Sequence, residues 1–277
     1  MIRIFKIEIR RAFTGIGTWI SFGIGMLISM IHIVHWILPR AEAFREQLLY
    51  FKSDMQYPDS LYWEWICGNT YNPEGFLYFL IFPLLAVLPY SISFFNDKDN
   101  GYIRQVYMRA ERRRYLMAKS AAVFLTGGFV VTAPLLINFI ICAMFLPALP
   151  MQQLAGKLIY AAVVWYKIFE QYPLVYVMIF MGLDFIFAGL VACLPLLLSF
   201  FSEKRYVILL MPFVLQIFIY AVCMMSANVD AVMYSTVYLF FAGFGCRSVL
   251  ALVGYIGIYG VLGVILFWKI GNREDIF

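Results

Sequence analysis

Six long apolar runs, spaced along the whole chain, constrain this sequence more than any other feature. They cover residues 16–38, 76–95, 119–147, 174–201, 206–225 and 249–268. A helix rises 1.5 Å per residue, so about 20 apolar residues cross the roughly 30 Å hydrocarbon core of a bilayer. In lipid every backbone donor must be satisfied within the protein, which leaves helices or a closed barrel. Barrel strands alternate polar and apolar residues over about ten positions, whereas these runs are continuous. Composition agrees: 64% of the 277 residues are hydrophobic and 13% are charged, against about 25% charged in a soluble domain. The sequence therefore predicts an all-α polytopic membrane protein, with six transmembrane helices in a single transmembrane domain over residues 1–277. The third and fourth runs exceed a simple crossing, so tilt or protrusion is expected there. Pro83, Pro89, Pro134, Pro195 and Pro212 fall inside the runs, where neighbouring helices must satisfy the carbonyls they free.

Lys and Arg set the expected orientation. The N-terminus, the loops after the second and fourth runs and the C-terminal tail carry 15 of them, and the other side carries 6. The positive-inside rule then places both termini in the cytoplasm of a cell bearing this protein in its plasma membrane. The net charge of +5 is spread by membrane side and gives no nucleic-acid surface. Two external segments follow, 39–75 and 148–173, both rich in Tyr and Trp. Within the second, residues 153–171 have an apolar face of Leu154, Leu158, Ala161, Trp165 and Ile168. Lys157 and Lys167 leave too short a stretch between them to cross, so the sequence predicts a helix lying in the interface. Residues 1–14 carry Ile2, Phe5, Ile9, Ala12 and Phe13 on one face, flanked by Arg3, Lys6 and Arg10. That pattern predicts a basic amphipathic helix on the anionic leaflet. The following run of 23 residues is longer than a signal-peptide core of about 7–15, so it is read as a retained span.

The loop over residues 96–118 is longer and more basic than topology requires. Ile103, Val106, Tyr107 and Ala110 follow helical spacing among Arg104, Arg109, Arg112 and Arg113. The pattern predicts a short amphipathic helix whose apolar face is free for a protein partner. The order Asp99, Gly101, Arg109, Arg112, Tyr115, Lys119 before a long span resembles the ABC-2 permease family. The overall plan is also similar: an amphipathic N-terminal helix, six spans and cytoplasmic termini. The resemblance implies a permease subunit of an ABC exporter, with Asp99, Gly101, Ile103, Val106, Arg109, Arg112, Tyr115 and Lys119 coupling it to a separate cytoplasmic ATPase. It further implies that ATP and magnesium are held by that ATPase and that a second permease copy, or a related permease, completes the pathway. The chain has no GxxxxGK[ST] loop of its own, the pattern needed to cradle phosphates and magnesium.

Other chemistry is sparse. Asp184 lies within the fourth run, where an ionised carboxylate costs about 3 kcal/mol or more, so it is expected to be shielded from lipid as a pathway or helix-packing residue. Asn138 and Gln216 are expected to hydrogen-bond across helices. His32 and His35 sit one turn apart, but with no third ligand in sequence reach they are read as packing residues, not a metal site. Cys67 and Cys246 fall on the external side, where they either bridge or stay free. Gly254, Gly257, Gly260 and Gly263 form a small-residue ridge suited to close helix approach, within the chain or between copies. Two alternatives to transport remain. An intramembrane enzyme needs a nucleophile or metal with a positioned base, and no HExxH or GxSxG occurs. A membrane scaffold needs none of these, and the presence or absence of a bound ATPase separates it from a permease.

Overall fold

The computed structural model of the chain describes residues 2–50, 59–69, 71–149, 163–226, 229–243 and 246–273, and among these residues the regular structure is helical. Helix α1 (Ile2–Thr14) ends where Gly15 adopts extended backbone. Helix α2 (Ile16–His32) then runs through a π-helical turn at Ile33–Ile37 into α3 (Leu38–Tyr50). After the short α4 (Leu61–Glu64) come α5 (Pro73–Val87), α6 (Ser93–Asp99) and α7 (Tyr102–Tyr107). The long α8 (Arg112–Phe145), the short α9 (Tyr166–Gln171), α10 (Pro173–Leu198) and α11 (Arg205–Met225) follow. Helix α12 (Val249–Gly260) continues through a second π segment, Val261–Leu266, into α13 (Phe267–Arg273).

Five of these helical stretches are long and apolar enough to span a bilayer: Ile16–Glu46, Arg112–Phe145, Pro173–Leu198, Arg205–Met225 and Val249–Asn272. The chain is thus an all-α membrane protein, with five such helices among the described residues. The second apolar run departs from expectation. It gives a helix of 15 residues, about 22 Å long, shorter than the hydrocarbon core. Its start is fixed by Asn72, whose side chain accepts from the Gly75 amide at 2.9 Å, with Pro73 in the first turn. The helix stops at Val87, and Pro89 just beyond has no amide to continue the ladder to the Leu85 carbonyl. The chain turns through residues 88–92 and resumes as α6.

Helix α10 is the centre of the bundle, packed on α8 along its length and also on α5, α12 and the second π segment. Helices α11 and α12 are peripheral and turn Val214, Phe218, Val222, Val253 and Ile258 outward. Polar residues of the spans (Ser21, Ser29, His32, Thr126, Asn138 and Asp184) are buried instead. Apolar outside and polar inside is the arrangement that hydrocarbon, not water, selects. Of the glycine ridge, Gly263 packs on Leu190 and Cys193 of α10, while Gly254 and Gly257 face open space.

Neighbouring helices satisfy the carbonyls that Pro83 and Pro89 free. Pro83 cannot donate to the carbonyl of Phe79, and the amide of Gln216, from α11, donates to it at 2.5 Å. Pro89 likewise leaves Leu85, and the Ser21 hydroxyl of α2 donates there at 2.6 Å.

At the end of the bundle remote from the N-terminus, irregular backbone enters the protein. Trp65, Ile66 and Cys67 on one loop, and Leu239, Phe240, Phe241 and Ala242 on another, are buried. The amide of Ala242 donates to the Cys67 carbonyl at 2.9 Å, and a Cβ on Gly243 would collide with the Gly68 carbonyl, so only glycine allows this approach. The ring of Phe240 stacks on Phe187 of α10 at 4.0 Å. Non-helical backbone at such depth is tolerated where protein surrounds it. The interfacial helix expected over 153–171 lies largely outside the described residues; its last part, α9, buries Phe169 against Tyr176 at 4.8 Å.

Candidate functional site

The most elaborate polar arrangement lies at the basic end, where α1, α6, α8 and the turn after α5 converge. Helix α8 has 34 residues, about 51 Å, so its first turns extend beyond any hydrocarbon core and carry Arg112, Arg113, Arg114 and Lys119. Lys119 is 0% exposed. Its ammonium donates to Asp97 Oδ2 at 2.6 Å, Glu8 Oε2 at 2.9 Å and the Tyr90 hydroxyl at 3.2 Å. All three of its donors are therefore used.

The carboxylates are equally well met. Asp97 receives Arg11 at 2.8 and 3.3 Å and the Tyr115 hydroxyl at 2.9 Å. Glu8 receives Tyr90 at 2.8 Å and Arg11 at 3.2 Å. The Lys119 ammonium also lies 4.5 Å from the centre of the Tyr90 ring. Two acids and two bases make a neutral cluster. Burial favours the neutral form of Asp97, but the Arg11 bonds and the Lys119 charge outweigh it and hold the carboxyl below its usual 3.8. Burial and the neighbouring Glu8 push the Tyr90 hydroxyl up.

Local geometry explains how these residues meet. Glu8, Arg11 and Ala12 share the face of α1 that packs on α8, so a buried carboxylate, as well as apolar contacts such as Phe13 on Phe129 at 5.4 Å, orients the N-terminal helix. Gly101 has φ +67, a left-handed conformation that reverses the chain between α6 and α7 at little cost only for glycine.

Of the residues expected to couple to an ATPase, Tyr115 and Lys119 enter the cluster. Asp99 does not: it is exposed and pairs with Arg205 at 2.8 Å, and Asp97 takes the buried place. The apolar face of α7 is not free, since Ile103 is buried in the core and Val106 packs partly against it. Helix α7 and its flanks leave Arg104, Gln105, Met108, Arg109, Glu111, Arg113 and Arg114 outward, with Glu111 paired to Arg114 at 2.9 Å. Arg112 lies over the Tyr107 ring at 5.4 Å. Glu8, Arg11, Tyr90 and Asp97 were missed in the sequence. Glu8 offered a signal, as the only acid among four basic residues in the first 14.

The intramembrane residues fall into two places. Asn138 sits between α2 and the first inserted loop, accepting from the Ile66 amide at 3.2 Å and donating to the Ser29 carbonyl at 3.2 Å, with a His32 ring nitrogen also at 3.2 Å. His35 pairs with Glu74 at 2.7 Å, and among the described residues no cluster suits a metal. Asp184 is 0% exposed and shielded from any lipid. The Cys67 thiol approaches its Oδ2 at 3.8 Å, and Oδ1 has no partner. Cys67 and Cys246 are both buried and free; no bridge joins them, because the Cys67 thiol points to Asp184 and the Phe240 carbonyl. No family model matches the chain, and no curated protein and no solved structure gave a match to it.

Proposed function

We propose that this chain is the transmembrane permease subunit of an ATP-driven ABC exporter, with hydrolysis on a separate ATPase and a second permease copy or relative completing the pathway. In this reading six segments cross or enter the plasma membrane, with α5 as the short second one, and both termini are cytoplasmic. The observation that supports it best is the buried cluster of Glu8, Arg11, Asp97 and Lys119. It ties the α6–α7 segment to α1 and to the start of α8, so a push on that segment is passed to these two helices instead of being lost in a loose loop. A transporter that converts a partner's closure into helix movement needs such a rigid link. The outward arginines and Met108 of this segment form the surface offered to the ATPase, and Ile103, Tyr115 and Lys119 act behind it. The aromatic-rich external segments suit an amphipathic cargo such as a peptide, drug or lipid-like molecule.

Affinity purification in mild detergent tests the reading. An ABC ATPase is expected to copurify with the native chain, and Arg109→Glu with Arg113→Glu is expected to release it while membrane insertion is unchanged. Purification with no ATPase, or full retention by the double variant, would overturn the assignment of this surface.

A further inference from the structure

A cleft of about 920 Å³ opens at the basic end between the α1–α2 junction, the turn after α5 and the first turns of α11. We infer that this cleft binds the headgroup of an anionic phospholipid, whose acyl chains lie along the outward apolar faces of α2 and α11. The inference rests on the membrane setting alone and does not depend on the transport reading.

Charge is the first argument. Arg11, Lys204 and Arg205 line the cleft, and the sole acid among its lining residues is Asp97. That acid is already held by Arg11, Tyr115 and Lys119, within a cluster that is neutral by itself. Lys204 and Arg205 therefore leave the cleft positive, with Arg205 offset in part by the exposed Asp99. Arg11 has spent only part of its fork, and 39% of its side chain is exposed, so further N–H groups remain for a phosphate.

The second argument is the shape of the binding surface. Helix α11 begins at the cleft with Lys204 as its N-cap, and a lysine side chain has no acceptor to cap the first-turn amides. Those amides add to the positive field where a phosphate would sit. Asn96 also lines the cleft, and its side-chain oxygen is buried with no partner; it is an acceptor for a headgroup hydroxyl or ammonium.

The third argument is continuity with lipid. Beyond the cleft the surface is apolar on both sides: Ile16, Trp19 and Ile20 on α2, and Tyr206, Val207 and Leu210 on α11 are all exposed. A soluble anion would use the charges and leave this surface bare, whereas a phospholipid uses both. The volume lies within the range of small-molecule sites.

The experiment is native mass spectrometry of the full chain, delipidated in detergent and titrated with phosphatidylglycerol or phosphatidylcholine. The native chain is expected to retain phosphatidylglycerol at least tenfold better than phosphatidylcholine. Lys204→Ala with Arg205→Ala is expected to lower that retention about tenfold, and Arg104→Ala with Arg113→Ala, equally basic and outward, is expected to leave it unchanged. Equal loss in both double variants would reduce the effect to general surface charge and overturn the site. Equal retention of the two lipids would overturn the charge argument. Displacement of phosphatidylglycerol by inorganic phosphate at millimolar concentration would show a free-anion site and overturn the lipid assignment. Unchanged thermal unfolding of both variants is the control for folding.

Discussion

The basic end and the middle of α10 bury carboxylates in opposite ways. At the basic end, Glu8 and Asp97 meet Arg11 and Lys119, and every carboxylate oxygen has a partner. Near the middle of α10, about 16 Å from its first residue, Asp184 has one thiol neighbour and a bare oxygen. Removing a partner from a paired buried charge leaves the other charge uncompensated, which costs far more than the pair contributes. Removing a group that has no counter-charge leaves nothing behind. The basic cluster is therefore brittle to substitution and the site on α10 tolerant, although the acids of both are buried.

The largest expected effect is at Lys119. Lys119→Met keeps the length and removes the charge, and it is expected to cost about 3–5 kcal/mol in unfolding measured in detergent, because Glu8 and Asp97 then face each other with Arg11 alone. A loss below about 1 kcal/mol would mean that water reaches the cluster and that the contrast between the two sites is false. A smaller effect should appear with pH. The folded state holds Asp97 below 3.8, so the unfolded chain binds its proton first as pH falls. The stability contributed by Asp97 is complete above about pH 4 and is lost as pH drops through the folded value. Unfolding temperature should therefore fall more steeply below pH 4 in the native chain than in Asp97→Asn, and parallel curves would remove the carboxylate from the account. The smallest effect belongs to Asp184→Asn. With no cation to strand, it is expected to change stability by less than about 1 kcal/mol. A cost near that of Lys119→Met would mean that Asp184 has a charged partner and that the two sites are alike.

Much of the architecture was legible because hydrocarbon is a simple solvent. The starts of the first, fourth, fifth and sixth runs, at 16, 174, 206 and 249, agree within a residue with the observed helices, since apolarity ends where charge begins. The second run was misread because composition does not register Pro89 as a stop: the residues on both sides are apolar, and only the missing proline amide interrupts the helical ladder between them. The N-terminal helix was visible as a periodic pattern, yet the weight given to its apolar residues hid Glu8, whose partner is 111 positions away. Asp97 and Asp99 are equally acidic and nearly adjacent. Which of them is buried depends on the direction in which α6 leaves the turn after Pro89, and no local pattern contains that. Tyr115 and Lys119 were identified through a family resemblance, and the structure adds that both reach the same carboxylate.

The repair of the prolines in α5 carries a consequence for biosynthesis. A ribosome adds about 5–20 residues per second. The Phe79 carbonyl is satisfied by a side chain encoded 137 positions later, so for roughly 7–30 s after its synthesis that oxygen has no permanent partner. A 15-residue segment with an unmet carbonyl is a poor candidate to leave the translocation channel for lipid alone. Ser21, made earlier, is ready for Leu85 at once, and α2 can shelter α5 from that side. The other side stays open until α11 emerges. Insertion of this chain is therefore expected to be completed late and in reverse, with the fifth long apolar segment releasing the second.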